Sequence, residues 1–156
     1  MKKIILLLTA LIPLLLIQGC LKNKNECLAK TVQSEEAAMQ AYAATIGMAY
    51  IRHPAGLYYQ ITNQGSGTAV TSNSRVSVIY TGKLLDGTVF DQATTATVPY
   101  PVSGFITGWQ YGLPFLNKSG TIRLLIPSSL AYGCKVVGTI PANSVLYFDV
   151  QVVDVQ

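Results

Sequence analysis

The side chains that could carry acid–base, nucleophilic or metal chemistry are few and dispersed in this chain. His53 is the only histidine, and it precedes Pro54 in a connecting segment. We interpret His53 as a surface linker residue rather than a catalytic base, because nothing near it could orient its ring. The three cysteines lack ligand spacing, and no glycine-rich loop opens a helix. Hydrolysis, phosphoryl transfer and metal chemistry are therefore poorly supported, and we expect no cofactor.

Five short motifs follow one another through the second half of the chain. They are VIYTG at 78–82, DGTVFD at 86–91, FITGW at 105–109, IPSSLAYG at 126–133 and IPANS at 140–144. Their order and spacing resemble those of FKBP-type peptidyl-prolyl isomerases, and the resemblance covers about residues 56–156. Five ordered motifs are far more specific than any single one.

The resemblance implies an enzyme that rotates X-Pro bonds in an apolar pocket. The barrier of about 18–20 kcal/mol comes from amide resonance, so a water-poor pocket that favours the twisted amide needs no nucleophile. The implied catalytic residues are Tyr80, Phe90, Asp91 and Tyr132. The implied substrate contacts are Tyr100, Phe105, Ile106, Trp109, Ile140 and Phe148.

The same resemblance implies a role for individual members of this set. Trp109 would form the floor under the proline ring, while the Ile106 amide and the Tyr132 hydroxyl would hold substrate carbonyls. Asp91 would fix Tyr80. Each residue also has a structural interpretation: Trp109, Ile106 and Phe148 as core residues, Asp91 as a turn residue, and both tyrosines as half-buried sheet residues.

Three functions remain open from the sequence. The first is an active isomerase that assists the folding of exported, proline-containing polypeptides. The second is a chaperone that binds proline segments without turnover, and the third is a scaffold lipoprotein with the same fold. The loop from Gly133 to Ile140 is one residue shorter than in the family, and Ala142 replaces its usual second proline. Both differences bear on substrate preference and on the binding of macrolide inhibitors.

The elements that must position these residues are mainly strands. Alternating and apolar patterns predict strands at 57–61, 75–80 with a continuation at 83–85, 88–90, 122–126 and 145–153, with a hairpin turn at Asp86-Gly87. Apolar residues recur at helical spacing at Ile106, Trp109, Leu113 and Leu116. Pro114 lies within this helix and predicts either a kink or a short second half of the helix. We therefore predict an α+β domain in which an antiparallel sheet of about five strands curls over one short helix.

The first nineteen residues have the pattern of an export signal. Lys2 and Lys3 precede an apolar run from Ile4 to Ile17, and the following Gly19-Cys20 resembles the lipobox of bacterial lipoproteins. We predict lipidation at Cys20, which would anchor the protein without a membrane-spanning helix. Leu21 in place of an acidic residue points to the outer membrane of the cell envelope. The alternative is a plain secretory signal with a chance cysteine.

Residues 20–55 are predicted to form a polar tether and one short helix ahead of the isomerase domain at 56–156. Ser34 is the expected N-cap, Glu35 and Glu36 suit the first turn, and Gly47 suits the stop. A helix of about thirteen residues is marginal unless it docks on another element.

Composition and charge restrict the partners. The chain has 156 residues, of which 50% are hydrophobic and 12% charged, with a formal net charge of +4. That composition excludes a disordered chain. No basic stripe is present outside the leader, so nucleic acid is not an expected partner.

Cys27 and Cys134 are the two cysteines outside the predicted lipidation site. Export would place them where thiols oxidise, and the sequence favours a disulfide between them. Such a bridge would pin the N-terminal extension against the loop that follows Tyr132. The alternative is two unpaired thiols, one on the tether and one on a surface loop.

Overall fold

The computed structural model describes residues 27–156, and these residues form an antiparallel sheet with a helix packed on each face. The helices are α1, Val32–Thr45, and α2, Thr107–Gly112. The strands are β1 Ile51–Arg52, β2 Tyr58–Asn63, β3 Arg75–Lys83, β4 Val89–Ala93, β5 Tyr100–Pro101, β6 Thr121–Ile126 and β7 Leu146–Val155. Short 3-10 turns lie at Val102–Gly104, Leu113–Phe115 and Ser128–Leu130.

The strand order is β1-β2-β6-β7-β3-β4, and β5 pairs separately with β3. All of these pairs are antiparallel. The predicted α+β class and antiparallel sheet are confirmed, and each of the five predicted strands is present. The two-residue strands β1 and β5 were not predicted, because two residues are too few to show an alternating pattern.

One face of the sheet packs on α2, and two glycines about one helical turn apart allow the close approach. A Cβ atom on Gly108 would lie 2.5 Å from Ile126 Cγ2, and one on Gly112 would lie 2.5 Å from Leu124 Cδ2. The helix ends before Pro114, and a separate 3-10 turn continues the apolar face. The predicted short second half is therefore confirmed, because proline cannot extend the hydrogen-bonded helix.

The opposite face of the sheet is covered at one end by α1. Met39 and Ala43 of the helix are buried against Tyr58, Leu125 and Tyr147. Neighbouring residues of β6 and β7 face the other core, as expected when successive side chains alternate across a strand. The helix is therefore a packed layer of the fold, and that packing stabilises an otherwise marginal element.

The start of α1 differs from the prediction. Thr31 is the N-cap, and its Oγ1 accepts a hydrogen bond from Ser34 N at 3.2 Å. Ser34 is therefore the third helical residue, at the position whose amide a capping side chain satisfies. The predicted stop at Gly47 is confirmed, since this residue has a φ of +61° just after the helix.

The predicted leader at 1–19 and the lipidation site Cys20 lie outside the described residues. Within residues 27–156, none of the helices has the length and hydropathy needed to cross a bilayer.

Candidate active site

A cavity of about 450 Å³ lies between α2 and the face of the sheet on which this helix packs. It brings together nine of the ten residues that the sequence assigned to catalysis and substrate contact. The cavity is also lined by four residues that were not assigned to the site from the sequence, which are Val78, Thr97, Val98 and Gly104. The predicted members are Tyr80, Phe90, Asp91, Tyr100, Phe105, Ile106, Trp109, Tyr132 and Phe148.

Trp109 lies at the centre of the aromatic lining. Its indole ring is 3% exposed and makes edge-to-face contacts with Tyr80 and Phe148, at centroid distances of 5.3 and 5.2 Å. Phe105 packs against it at 4.8 Å. These geometries are the favourable ones for aromatic pairs, so the rings hold each other in place. The indole Nε1 is buried and has no acceptor among the described residues.

Tyr80 and Asp91 form a hydrogen-bonded pair in the cavity wall. The Tyr80 hydroxyl donates to Asp91 Oδ2 over 2.6 Å. Burial, followed by this hydrogen bond, raises the pKa of Tyr80 well above its usual value. The pKa of Tyr132 is raised as well, first by burial and then by the charge of Asp91. Both phenols therefore remain protonated at neutral pH and can donate hydrogen bonds.

Gly82 of the VIYTG motif is required by the packing of two phenylalanines. A Cβ atom at this position would lie 2.6 Å from Phe90 Cζ and 2.8 Å from Phe148 Cε1. These two rings meet edge to face, with their centroids 5.5 Å apart. The glycine therefore lets the strand backbone approach the aromatic lining.

The segment between β4 and β5 forms part of the cavity rim. Thr97 is held on β3 by two hydrogen bonds, since its amide donates to Val78 O and its Oγ1 accepts from Val78 N. Val98 is 81% exposed and lines the mouth. Neither of these two residues was predicted, because the segment has no periodic pattern.

Tyr100 lies at the same rim and packs over a glycine. Its ring is 5.1 Å from that of Phe105, and a Cβ atom on Gly104 would lie 2.5 Å from its Cε1 atom. The sequence placed Tyr100 in the set of substrate contacts. Its phenol forms an exposed edge of the cavity.

Ile106 occupies the N-cap position of α2. Its carbonyl accepts from Trp109 N at 2.9 Å, whereas its own amide has no protein acceptor among the described residues. The preceding loop is held by Gln110, whose Nε2 donates to the carbonyls of Phe105 and Ser103. The cavity therefore contains a backbone donor that is free to bind a ligand carbonyl.

Ile140 does not line the cavity, in contrast to its predicted substrate contact. It is 5% exposed and belongs to the hydrophobic core. Reciprocal backbone hydrogen bonds with Val137 close the turn before it. We name the whole segment Gly133–Asn143 the lid loop, and Ile140 anchors this loop to the core.

The N-terminal segment crosses the ends of the lid loop. A disulfide joins Cys27 to Cys134, with a Cα–Cα distance of 5.6 Å. At the other end of the loop, Asn143 Nδ2 donates to Leu28 O at 2.8 Å. The backbone N–H of Asn143 also donates to Gly133 O at 2.7 Å, so the two ends of the loop are held together.

His53 lies outside the residues that line the cavity. It is half-buried, its ring stacks on Tyr111 at 5.1 Å, and its Nδ1 accepts a hydrogen bond from Ala55 N. The residue thus packs in a turn more closely than a surface linker residue would.

The lining is suited to bind an apolar group beside a carbonyl. Asp91 is the one charged side chain among the described residues that line it, and the remainder of the surface is largely aromatic or aliphatic. Within residues 27–156, no group of three or more His, Cys, Asp or Glu side chains is arranged to hold a metal ion. The arrangement can desolvate a ligand and donate hydrogen bonds to it.

A family model described as "FKBP-type peptidyl-prolyl cis-trans isomerase" matches residues 66–153. The protein named FKBP-type peptidyl-prolyl cis-trans isomerase FkpA of Escherichia coli strain K12 is 44% identical over 103 residues, which cover 65% of this chain and 38% of that protein. A probable FKBP-type peptidyl-prolyl cis-trans isomerase of Haemophilus influenzae is 38% identical over 137 residues, covering 86% of this chain and 56% of the relative. The chain therefore spans about two fifths to just over half the length of these relatives.

Solved structures give the same result for the fold. The crystal structure of FkpA from Escherichia coli matches with a TM-score of 0.69 and 36% identity, over 80% of this chain and 61% of that one. A peptidyl-prolyl cis-trans isomerase from Pseudomonas syringae matches with a TM-score of 0.67 and 26% identity, over 83% of this chain and 99% of that one.

Proposed function

Because this chain belongs to the FKBP-type peptidyl-prolyl cis-trans isomerase family, we propose that it catalyses cis-trans rotation of X-Pro bonds in exported polypeptides and so assists their folding. Its substrates are unfolded or extended segments that contain proline. The observation that carries the proposal is the aromatic cavity around Trp109, which combines apolar walls with hydroxyl and amide donors.

Catalysis in this cavity depends on the environment of the amide. Rotation removes conjugation and leaves the amide less polar, so a water-poor, apolar surrounding favours the twisted state over the planar one. The proline ring packs on Trp109, and the Ile106 amide and the Tyr132 hydroxyl hold substrate carbonyls. Asp91 fixes the Tyr80 ring in the wall. Only one C–N bond rotates, so no covalent bond to the protein forms.

The second candidate is a chaperone that holds proline segments without turnover. The attachment of both ends of the lid loop to the N-terminal segment favours this alternative, because a restrained loop can retain a ligand and slow its release. We also propose macrolide inhibitors as ligands of the Trp109 cavity. The restraint on the lid loop and its shortened length both affect how such inhibitors bind.

We place this activity in the cell envelope, on a lipid anchor at Cys20 in the outer membrane. The support comes from the sequence, where a basic and apolar leader ends at Gly19-Cys20. An acylated cysteine would hold the domain at the membrane surface with its cavity in the aqueous compartment.

The test is an isomerisation assay on the purified full-length chain with a tetrapeptide that contains one X-Pro bond. We expect the chain to accelerate this rotation well beyond the spontaneous reaction, which takes about tens to hundreds of seconds. A matched peptide with alanine in place of proline should not compete. Suppressed aggregation of an unfolded client with no acceleration of the peptide would instead establish the chaperone function.

A further inference from the structure

Glu35 is a buried carboxylate on the sheet-facing side of α1. It is 2% exposed, and its Oε2 accepts a hydrogen bond from the backbone amide of Ser128 at 2.8 Å. Its Oε1 is buried without a partner, and no cation lies within salt-bridge distance among the described residues. Burying a carboxylate with one hydrogen bond is costly, and an apolar side chain would pack here more favourably.

Ser128 is the residue from which the turn around Tyr132 is built. It is 1% exposed and begins the 3-10 turn after β6. Its carbonyl accepts from Ala131 N at 3.0 Å and from Gly133 N at 2.8 Å. These two amides flank Tyr132, so the position of Ser128 sets the backbone on either side of that tyrosine.

We propose that Glu35 is a positioning residue for Tyr132 and acts through Ser128. The carboxylate fixes the Ser128 amide, the Ser128 carbonyl fixes the two amides around Tyr132, and the tyrosine hydroxyl is thereby held toward the cavity that Asp91 shares. The inference deepens the proposed isomerase function and rests on it. It also makes α1 a functional layer of the active site.

Glu35→Met is the decisive variant, because methionine fills the buried space but cannot accept the Ser128 hydrogen bond. We expect kcat/KM for the X-Pro peptide to fall by about tenfold, with the chain still folded. Glu35→Gln keeps an acceptor oxygen and should retain most of the activity. A Glu35→Gln chain as impaired as Glu35→Met would overturn the proposal.

Glu36→Ala is the matched control on the same helix. Glu36 Oε1 accepts from Arg52 Nε at 2.9 Å and from Tyr58 Oη at 3.0 Å, and within residues 27–156 it makes no hydrogen bond to Ser128. Its removal should lower stability and leave kcat/KM unchanged. An equal loss of kcat/KM in Glu36→Ala would argue that any disturbance of α1 produces the effect.

A double-mutant cycle separates positioning from general support. Tyr132→Phe removes the hydroxyl, so adding Glu35→Met to that variant should lower kcat/KM no further. A further tenfold loss in the double variant would overturn the route through Tyr132.

A measurement without turnover keeps this inference distinct from the proposed function. Amide hydrogen exchange of Ala131, Gly133 and Ser128 should accelerate in Glu35→Met and not in Glu36→Ala. If the wild-type chain failed to turn over any peptide, the proposed function would fail, and these exchange rates would still decide whether Glu35 holds the Tyr132 turn. Unchanged exchange would overturn the inference.

Discussion

The Tyr80 hydroxyl donates a 2.6 Å hydrogen bond to Asp91 between the neighbouring strands β3 and β4. In the same pair of strands, Gly82 lies opposite Asp91 in the register. One strand pair thus supplies a phenol donor, a carboxylate acceptor and the space for two phenylalanine rings. This local arrangement has consequences for pH dependence, packing and catalysis that can be measured separately.

Stability should decrease as the pH rises above the ordinary tyrosine pKa of 10.0. Because burial raises the pKa of Tyr80, the folded chain keeps this proton at pH values where the unfolded chain loses it. The resulting stabilisation is complete below about pH 10 and is lost as the pH rises from there through the folded pKa. Urea unfolding from about pH 8 to about pH 11 measures the effect.

Tyr80→Phe should make this loss of stability with pH less steep. The slope that remains belongs to the other tyrosines whose pKa values are raised, which are Tyr42, Tyr58, Tyr132 and Tyr147. Tyr111→Phe is the control, since this exposed tyrosine lies outside the cavity lining. Identical slopes for wild type and Tyr80→Phe would contradict the prediction.

Phe90→Ala should lower kcat/KM for an X-Pro peptide by tenfold or more, a loss of about 1.4 kcal/mol of transition-state stabilisation. The ring packs against Phe148 and lines the cavity. Phe115→Ala is the matched control, because Phe115 stacks on Tyr59 outside the lining.

His53→Ala should leave turnover unchanged if catalysis requires no base. Pre-steady-state kinetics should also show no burst of a covalent enzyme form. Activity that depended on His53 would refute a mechanism based on the apolar cavity.

Gly82→Ala should destabilise the chain by about 1–3 kcal/mol, as overpacking does in a filled core. The added methyl group would overlap the rings of Phe90 and Phe148. Chemical denaturation measures the loss of unfolding free energy. Phe90→Leu in the same chain relieves part of the overlap, so the double variant should lose less than the sum of the two single losses.

Native protein purified from membranes should begin at Cys20 and carry the mass of its acyl groups. The reason is the small residue and cysteine at the end of the leader. Mass spectrometry checks the modification, and membrane fractionation of Cys20→Ser checks the anchoring. A Cys20→Ser chain found equally in the membrane fraction would assign the anchoring to another feature.

Cys27 and Cys134 should resist thiol labelling in the folded, exported chain until a reductant is added. Their pairing closes a loop across a sequence separation of 107, which gives up to about 4–5 kcal/mol in the chain-entropy model. Cys27→Ser should therefore lower the unfolding free energy measured in urea. Two reactive thiols before reduction would exclude the bridge.

Alternation and motif order were sufficient to predict the five longer strands and most of the residues that line the cavity. Tyr80 and Phe148 lie in strands whose apolar patterns are clear in the sequence, and Trp109 is one of the apolar residues that recur at helical spacing. The docking of α1 was not predicted. The buried residues of this helix are Glu35, Met39 and Ala43, so its buried face includes a charged residue and does not show as an apolar stripe in the sequence.

The remaining differences come from individual hydrogen bonds, some local and some between residues distant in sequence. Ile140 turns into the core because its backbone pairs with Val137, and Val98 reaches the cavity because Thr97 is tied to β3. Neither contact leaves a local pattern in the sequence. The link from Glu35 to Ser128 spans 93 positions and is equally invisible to periodicity.

The bond between Cys27 and Cys134 also determines how the molecule bears mechanical load. Tension applied from the N-terminal side enters the fold at Cys27 and passes through the covalent bond to the lid loop. Helix α1 lies within the closed loop and does not carry that force, so tension cannot detach it from the sheet while the bond is intact. Reduction would redirect the pull through α1 and its buried Glu35.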